Sequence, residues 1–334
     1  MPNNKYNLTI LGAGNMGTAM AYVTAKNGHN ITIWNYEGDP EPLQQINEFH
    51  ENKKYLCGTI LPNNIVAEPD LILAVKKAQV VFFILPSNFI EAIAERIALH
   101  LPKGCILVDA SKGLDEKTLR TIPDVIKSHL PKHLKNNVIG ISGPAIAIDM
   151  IKDGLTMMNV AGKNPKAVQL VKKVMDSKNI RLIATDDIVG VEIAGSFKNV
   201  YAIALGICDG IGYPMNTKAA LLVTALKEIG QLSKKMGGKI ETVYDLAGLG
   251  DLIGTSLSTA SRNRRFGECL ASGADCESAL KQTKQIVEGI QACKIMLTLG
   301  KKHQLKMLFA QMVYNAVWKG NAKKELEKYL NNIK

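Results

Sequence analysis

The sequence predicts an α/β domain with an open, doubly wound, mainly parallel sheet, followed by a domain made of helices alone. Three observations carry this expectation. Short β-rich runs alternate with helical stretches through the first half of the 334-residue chain. Several of those runs are continuously apolar, as strands covered on both faces must be. After about Asp187 the strand signals stop and long helical periodicities take over. Alternating βαβ units pack as a parallel sheet with helices on both faces. A chain of this length suits two domains, which the change of pattern places at residues 1–187 and 188–334.

Strands are expected at Leu8–Leu11, Asn30–Trp34, Val80–Leu85, Cys105–Asp109, Val138–Ile141, Met157–Ala161 and Ile180–Ile183. Helical patterns between them fall at Thr18–Asn27, Asp70–Lys77 and Asn88–His100. In the second half, "DIVGVEIAGSFKNVYAIALGICDGIG" reads as a long apolar helix rich in small residues. "TKAALLVTALKEIGQLSKKMG" reads as another, closed by Gly237 and Gly238. Further helices are expected at Glu241–Leu246, Arg264–Ala271, Glu277–Lys281, Gly289–Lys302 and Leu308–Lys319. No repeat or low-complexity linker separates the two halves.

Composition narrows the functional class. Hydrophobic residues make up 46% and charged residues 21%, as in an ordinary globular protein. No apolar run reaches the roughly 18–20 residues that a bilayer demands, so no membrane span is expected. The start, "MPNNKYNLTILGAG", lacks the charged, apolar and small-residue order of an export signal. Cys57, Cys105, Cys208, Cys269, Cys276 and Cys293 are scattered with no C-x-x-C, which fits reduced thiols in a cytoplasm. The formal net charge is +11, but the lysines are spread, and "KKHQLK" and "NAKKELEK" alternate with apolar residues. That pattern suits solvated helix faces and an anionic small ligand better than nucleic acid. No His/Cys/Asp cluster suggests a metal.

The stretch "NLTILGAGNMGTAMAYVTAKNGHNITIWNYE" holds Gly12, Gly14 and Gly17 in a G-x-G-x-x-G spacing. Alone this spacing is weak. Between a strand, a helix start and a second strand it is the Rossmann-type dinucleotide fingerprint. Gly12 permits a tight turn, Gly14 lets backbone approach a pyrophosphate, and Gly17 lets helix pack on strand. The helix N-terminus then offers free N–H groups and a positive dipole end to the phosphates. After the second strand an acid would hold the ribose of NAD, and an arginine the 2′-phosphate of NADP. Here the place holds Asn35, then Tyr36 and Glu37. Asn35 can bond a hydroxyl but neutralises no phosphate; Glu37 either reaches the ribose or faces solvent. NAD or NADP is the expected cofactor, with NAD slightly favoured.

Three later segments carry chemistry. In "DASKGLDEK", Lys112 follows a strand end, at the sheet edge where ligands bind. In "VEIAGSFKNVYAIA", Lys198 sits in an apolar helix near Ala194, Gly195 and Ala202. A lysine there is costly unless it has a partner or a task, and desolvation lowers its pKa toward that of a useful acid–base group. In "LAGLGDLIGTSLSTASRNRRFG", Asp251 stands in a glycine turn, and Ser261, Arg262 and Asn263 stand near a helix start. An arginine, an amide and a helix N-terminus together suit a phosphate.

With "GAGNMGTAMA", "INEFHENKKYLCGTILP", "DASKGL", "SGPAIA", "GVEIAGSFKNVYAIALGICDGIGYPMNTKAAL", "LAGLGDLIGT", "SRNRRFG" and "IVEG" in order, the chain resembles the NAD(P)-dependent glycerol-3-phosphate dehydrogenases over nearly its whole length. The resemblance implies interconversion of dihydroxyacetone phosphate and sn-glycerol 3-phosphate, which feeds glycerophospholipid synthesis. It implies that Lys198 is the catalytic proton acceptor and donor, and that Lys112 touches substrate and cofactor. It implies substrate contacts at Gly143, Ala145, Asp251, Ser261, Arg262 and Asn263, with Arg262 also near the cofactor. Gly12, Gly14, Asn15, Met16 and Gly17 would form the cofactor loop, with Asn35 after the second strand and Ala147 beside the cofactor, and Ile286 and Glu288 at its far edge.

The chain departs from the family pattern in places. Met16 replaces a usual tryptophan, and Asn35 an arginine often seen there. Ala145 replaces a common Ser or Thr whose hydroxyl assists substrate binding, and Ile148-Asp149-Met150 lacks the acid common soon after. One lost hydrogen bond to a charged ligand costs roughly 1.5–3 kcal/mol. Two other readings compete. One is a dehydrogenase of the same plan acting on another small phosphorylated or hydroxy-acid substrate; Arg262 and Asn263 argue against an unphosphorylated one. The other is a dinucleotide sensor without turnover; Lys198 with Asp251 and Lys112 argues against it. The apolar helices of the second domain fit a homodimer.

Overall fold

The computed structural model describes residues 5–152, 154–283 and 286–333. The chain divides into two compact units. The first comprises Met1–Ser111 and Ile122–Ile188; the second comprises Lys112–Thr121 and Val189–Lys334. Lys112–Thr121, which the sequence places inside the first domain, therefore packs with the second unit.

The first unit alternates strands and helices: β1 (Asn7–Leu11), α1 (Asn15–Lys26), β2 (Asn30–Trp34), α2 (Glu41–Phe49), β3 (Ile65–Ala67), α3 (Leu71–Val75), β4 (Val80–Phe83) and α4 (Ser87–Ile97). It continues with β5 (Ile106–Asp109), α5 (Ile122–His129), β6 (Val138–Ser142), α6 (Ala147–Met150), β7 (Thr156–Ala161), α7 (Pro165–Met175) and β8 (Ile180–Thr185). The strands form one sheet in the order β3-β2-β1-β4-β5-β6-β7-β8. The expected doubly wound sheet is thus present. Neighbours run parallel, as in Ile10 opposite Ile33 and Phe82, except that β6 and β7 are antiparallel.

Strand alternation sorts the core onto the two faces. Leu8, Ile10, Ile31, Ile33 and Phe82 join one buried cluster, and Leu11, Trp34, Val81 and Phe83 join the other. This is why these runs read as continuously apolar. The short edge strand β3 escaped the sequence reading because its central Val66 is 57% exposed. Helix α3 starts one residue after its pattern because Asp70 caps it, accepting from the amides of Ile72 (2.8 Å) and Leu73 (2.9 Å).

The described part of the second unit outside Lys112–Thr121 is helical: α8 (Ile188–Ile211), α9 (Met215–Lys235), α10 (Ile240–Val243), α11 (Asp251–Leu257), α12 (Arg262–Ala271), α13 (Cys276–Thr283), α14 (Glu288–Lys302), α15 (Leu308–Trp318) and α16 (Ala322–Leu330). Helix α8 is long and apolar enough for a membrane by composition alone, yet 94% of its apolar window is buried inside the protein. It is the core helix of its unit. Glycines let its neighbours touch it backbone to backbone. A Cβ on Gly206 would lie 1.9 Å from the Arg264 carbonyl oxygen, and one on Gly267 would lie 2.1 Å from that of Ile203. The start of α12 is thereby held against α8.

Gly267→Ala is expected to destabilise the second unit by about 1–3 kcal/mol, because neither backbone can yield. Gly230→Ala on α9, whose Cβ would meet only Ile240 at 4.0 Å, is expected to be neutral or stabilising. Urea unfolding of the two variants compares them. In the first unit, His29 is 3% exposed and stands edge-on to Tyr6. Burial holds its pKa below 6.5, and Lys173 pushes the same way. The unfolded chain therefore takes up this proton first, and stability is lost as pH falls below about 6.5. Chemical denaturation across that range should show an acid limb that His29→Leu flattens.

Candidate active site

The glycine loop follows β1, where the strand order reverses between β2 and β4 and ligands of such sheets bind. Gly12 has φ +114°, and its amide donates to the Trp34 carbonyl at 2.8 Å. A Cβ on Gly17 would lie 1.8 Å from the Gly12 carbonyl oxygen, so helix and turn interlock there. A Cβ on Gly14 would meet nothing within 4 Å. Gly14 also precedes α1 with no side-chain cap. The first-turn amides of α1 thus lack a side-chain cap, and the space before them is open, which fits a pyrophosphate. Asn15 is exposed, and Met16 is half-buried against the core.

Asn35 has a different task from the expected one. Its Oδ1 accepts from the Ala13 amide at 3.0 Å, and its Nδ2 donates to the Asp39 carbonyl at 2.7 Å. The side chain is 8% exposed and braces the loop from below. Asp39 is gripped in turn by Lys54 (2.7 Å) and the Tyr55 hydroxyl (2.9 Å). Burial opposes ionisation of Asp39, but these bonds outweigh it and hold its pKa below the usual range. Glu37 is half-exposed and paired with Arg96 at 2.8 Å, which holds its pKa low. Asn52, which sequence reading did not single out, is fully buried. Its amide donates to the Ala13 carbonyl and the Thr18 hydroxyl, both at 2.8 Å. Gly143 follows β6, and its Cβ would meet the Met158 Cα at 2.8 Å. Ala145 packs on the core, and Ala147 opens α6.

The second unit gathers Lys112, Lys198 and Asp251. Lys198 projects from α8 and is 4% exposed. Its Nζ donates to Asp251 Oδ1 and, at 2.5 Å, to the Thr255 hydroxyl. Lys112 Nζ donates to Asp251 Oδ2. The expectation that Asp251 lies in a glycine turn is corrected: it is the first residue of α11, 2% exposed, after a wide turn at Leu246–Gly250. Helical spacing then sets Thr255 one turn above Asp251, at 3.2 Å. The sequence hides Thr255, because the glycines of "LAGLGDLIGT" read as a turn.

One carboxylate between two ammonium groups governs the electrostatics. Burial depresses Lys198 most, Lys112 adds to it, and Asp251 opposes both, leaving a pKa of about 7. Lys112 is also desolvated, but Asp251 outweighs this and raises its pKa. Burial would raise the pKa of Asp251; the two lysines overcome it and keep the acid ionised.

The Ser-Arg-Asn triplet stands at the start of α12. Ser261 caps the helix, its hydroxyl accepting from the Arg264 amide at 3.3 Å. Asn263, 6% exposed, donates to Asn199 Oδ1 (3.0 Å) and accepts from the Gly289 amide (2.9 Å). Asn199 donates onward to Glu288 Oε2 at 2.9 Å. Asn199 thus ties the residue beside Lys198 to both α12 and α14. The guanidinium of Arg262 is 39% exposed and lies 3.8 Å from Glu288. Ile286 is exposed, ahead of α14. Lys112, Lys198 and Asp251 are therefore one cluster, and Arg262, Asn263 and Glu288 another. Gly143, Ala145 and Ala147 lie in the first unit, as does the glycine loop.

Residues 7–168 match the family model of the NAD-dependent glycerol-3-phosphate dehydrogenase N-terminus, and residues 187–328 that of its C-terminus. The chain belongs to this family. A glycerol-3-phosphate dehydrogenase [NAD(P)+] of Bacillus velezensis is 36% identical over 94% of this chain and 90% of its own. That of Bacillus subtilis is 35% identical with the same coverage. The crystal structure of glycerol-3-phosphate dehydrogenase from Coxiella burnetii superposes with a TM-score of 0.91 at 30% identity, over 98% of this chain and 99% of that one. A D-mandelate dehydrogenase shares only the fold, with a TM-score of 0.60 at 14% identity. The family's two-part plan, a Rossmann-type sheet with a helical C-terminal domain, is the one seen here.

Removing the shared anion tests the cluster. Asp251→Asn leaves the Lys112 ammonium without its counter-ion and drives Lys198 to its neutral form, and is expected to cost about 3–5 kcal/mol at neutral pH. Both lysine pKa values then fall, so the unfolded chain binds more protons and stability recovers as pH rises toward 10.5. Denaturant unfolding at neutral and alkaline pH measures both effects.

Proposed function

We propose that this chain interconverts dihydroxyacetone phosphate and sn-glycerol 3-phosphate with NAD(P)(H), and that Lys198 is its acid–base group. The observation that carries this reading is the buried Lys198 ammonium on Asp251, with a pKa of about 7. A ketone that receives hydride must gain a proton on its oxygen. A lysine poised near neutrality gives that proton in one direction and takes it back in the other. Lys112 keeps its proton and supplies a fixed positive charge that favours a developing oxyanion. Asp251 holds both side chains in place and Thr255 fixes the approach of Lys198.

The bound nicotinamide supplies the hydride. The glycine loop and α1 would hold its pyrophosphate, with Asn35 and Asn52 bracing the loop. With Asn35 engaged and Arg96 already paired to Glu37, the segment after β2 presents no unpaired arginine among the described residues, which favours NAD over NADP. Arg262 would take the substrate phosphate. Its contact with Glu288 is long and exposed and so contributes little, whereas a bidentate arginine–phosphate contact is strong. Ser261 and Asn263 would serve by setting the start of α12 under that arginine.

The product feeds glycerophospholipid synthesis, and a cytoplasmic setting fits the six free thiols. A homodimer is supported by exposed apolar side chains on α9, with Met215 57% and Val223 51% exposed.

NADH oxidation with dihydroxyacetone phosphate tests the reading, and a parallel run with NADPH ranks the cofactors. Lys198→Ala should lower kcat by about 10²–10⁴-fold; undiminished turnover would sink the assignment. Reduction needs the charged lysine, so its kcat/KM should fall as pH rises through about 7. Oxidation of glycerol 3-phosphate needs the neutral amine and should rise through the same range.

A further inference from the structure

The segment Lys112–Thr121 is a strap closed mainly upon itself. Leu114 and Thr121 form an antiparallel bridge, and the Asp115 amide donates to the Arg120 carbonyl at 3.0 Å. The Asp115 carboxylate accepts from the Thr118 amide and hydroxyl, both at 2.6 Å. These bonds give the strap its shape but not its place. Its place comes from the buried Leu114 side chain and from a hydrogen bond of its second residue: the Gly113 amide donates to the Ser196 hydroxyl of α8 at 3.0 Å. Ser196 is 2% exposed, in the middle of the core helix. Gly113 has φ +132°, a conformation that L side chains rarely adopt, so the turn is built to aim this amide.

We propose that Ser196 is a positioning residue for Lys112: by accepting the Gly113 amide it fixes the strap so that Lys112 stands on Asp251. Ser196 and Lys198 are two residues apart and leave α8 on different sides. One side of the helix anchors the strap, while the other sends Lys198 to Asp251 Oδ1; Lys112, coming from the strap, takes Oδ2. The charged groups around Lys198 are then Asp251 from α11 and Lys112 from the strap, with Glu288 of α14 acting on Lys112. Ser196 carries no charge, so its influence on Lys198 must pass through Lys112. The proposal rests on Lys198 being the acid–base group only in its consequence for turnover.

The test therefore reads Lys198 directly. In protein carrying isotope-labelled lysine, the Lys198 side-chain signal, assigned by its absence in Lys198→Met, is followed against pH by NMR. The wild-type midpoint is expected near 7. Losing a neighbouring cation raises it, so Ser196→Ala and Lys112→Met should each move it up by about one unit or more. Ser196→Thr keeps a hydroxyl and should restore the wild-type midpoint. The double variant Ser196→Ala/Lys112→Met should match Lys112→Met alone, because the two act in series. An unmoved midpoint in Ser196→Ala, or a shift that adds to that of Lys112→Met, overturns the proposal. Because the signal needs no turnover, an enzyme inactive on dihydroxyacetone phosphate would fail the functional reading without touching this one.

Discussion

Two ammonium groups can share a water-poor site only around an anion, and Asp251 is that anion. Stripping water from each ion costs several kcal/mol, so the cluster persists only because both carboxylate oxygens are engaged. One negative charge does not cancel two positive ones. Burial weakens the hold of Lys198 on its proton most, and the uncancelled charge of Lys112 weakens it further. Lys112, less enclosed at 23% exposure, keeps its own. Two lysines on one carboxylate thus differ: Lys198 gives up its proton more readily, and Lys112 holds its own.

The scaffold serves that arrangement by close backbone contact at glycines. Gly206 and Gly267 bring α12 onto α8, and Gly289 brings the start of α14 to the same helix, where a Cβ would lie 2.4 Å from the Asn199 carbonyl oxygen. Missing side chains at three glycines let Asn199, Asn263 and Glu288 reach one another. The residue next to Lys198 is thereby tied to the helix that carries Arg262. In the first unit Gly17 has the same function, locking α1 under the turn that it extends.

Much of this was legible because the signals are local. Strands covered on both faces show as apolar runs, and Lys198 stood out because an ammonium among alanines and glycines demands an explanation. What escaped was tertiary. "LAGLGDLIGT" reads as a glycine turn, yet one more turn of helix puts Thr255 above Asp251. Asn35 and Asn263 look like ligands in the sequence, but their amides already hold backbone groups at Ala13 and Gly289. A sequence shows that a side chain can make a hydrogen bond; it does not show that the bond is already made. Asn52 and Asn199 give no local signal, since their partners lie far along the chain.

The strap has a consequence for how the protein is made. Lys112 and Asp251 are separated by 139 positions, so the lysine leaves the ribosome long before its counter-ion exists. At about 5–20 residues per second the delay is on the order of ten seconds, ample time for the first unit's sheet to form. Until then Lys112 has no Asp251 to pair with. Only when α8 and α11 have emerged can the strap dock and the lysine lose its hydration. The charge cluster is thus one of the last features to form during synthesis, and a half-made chain would carry the glycine loop without the cluster.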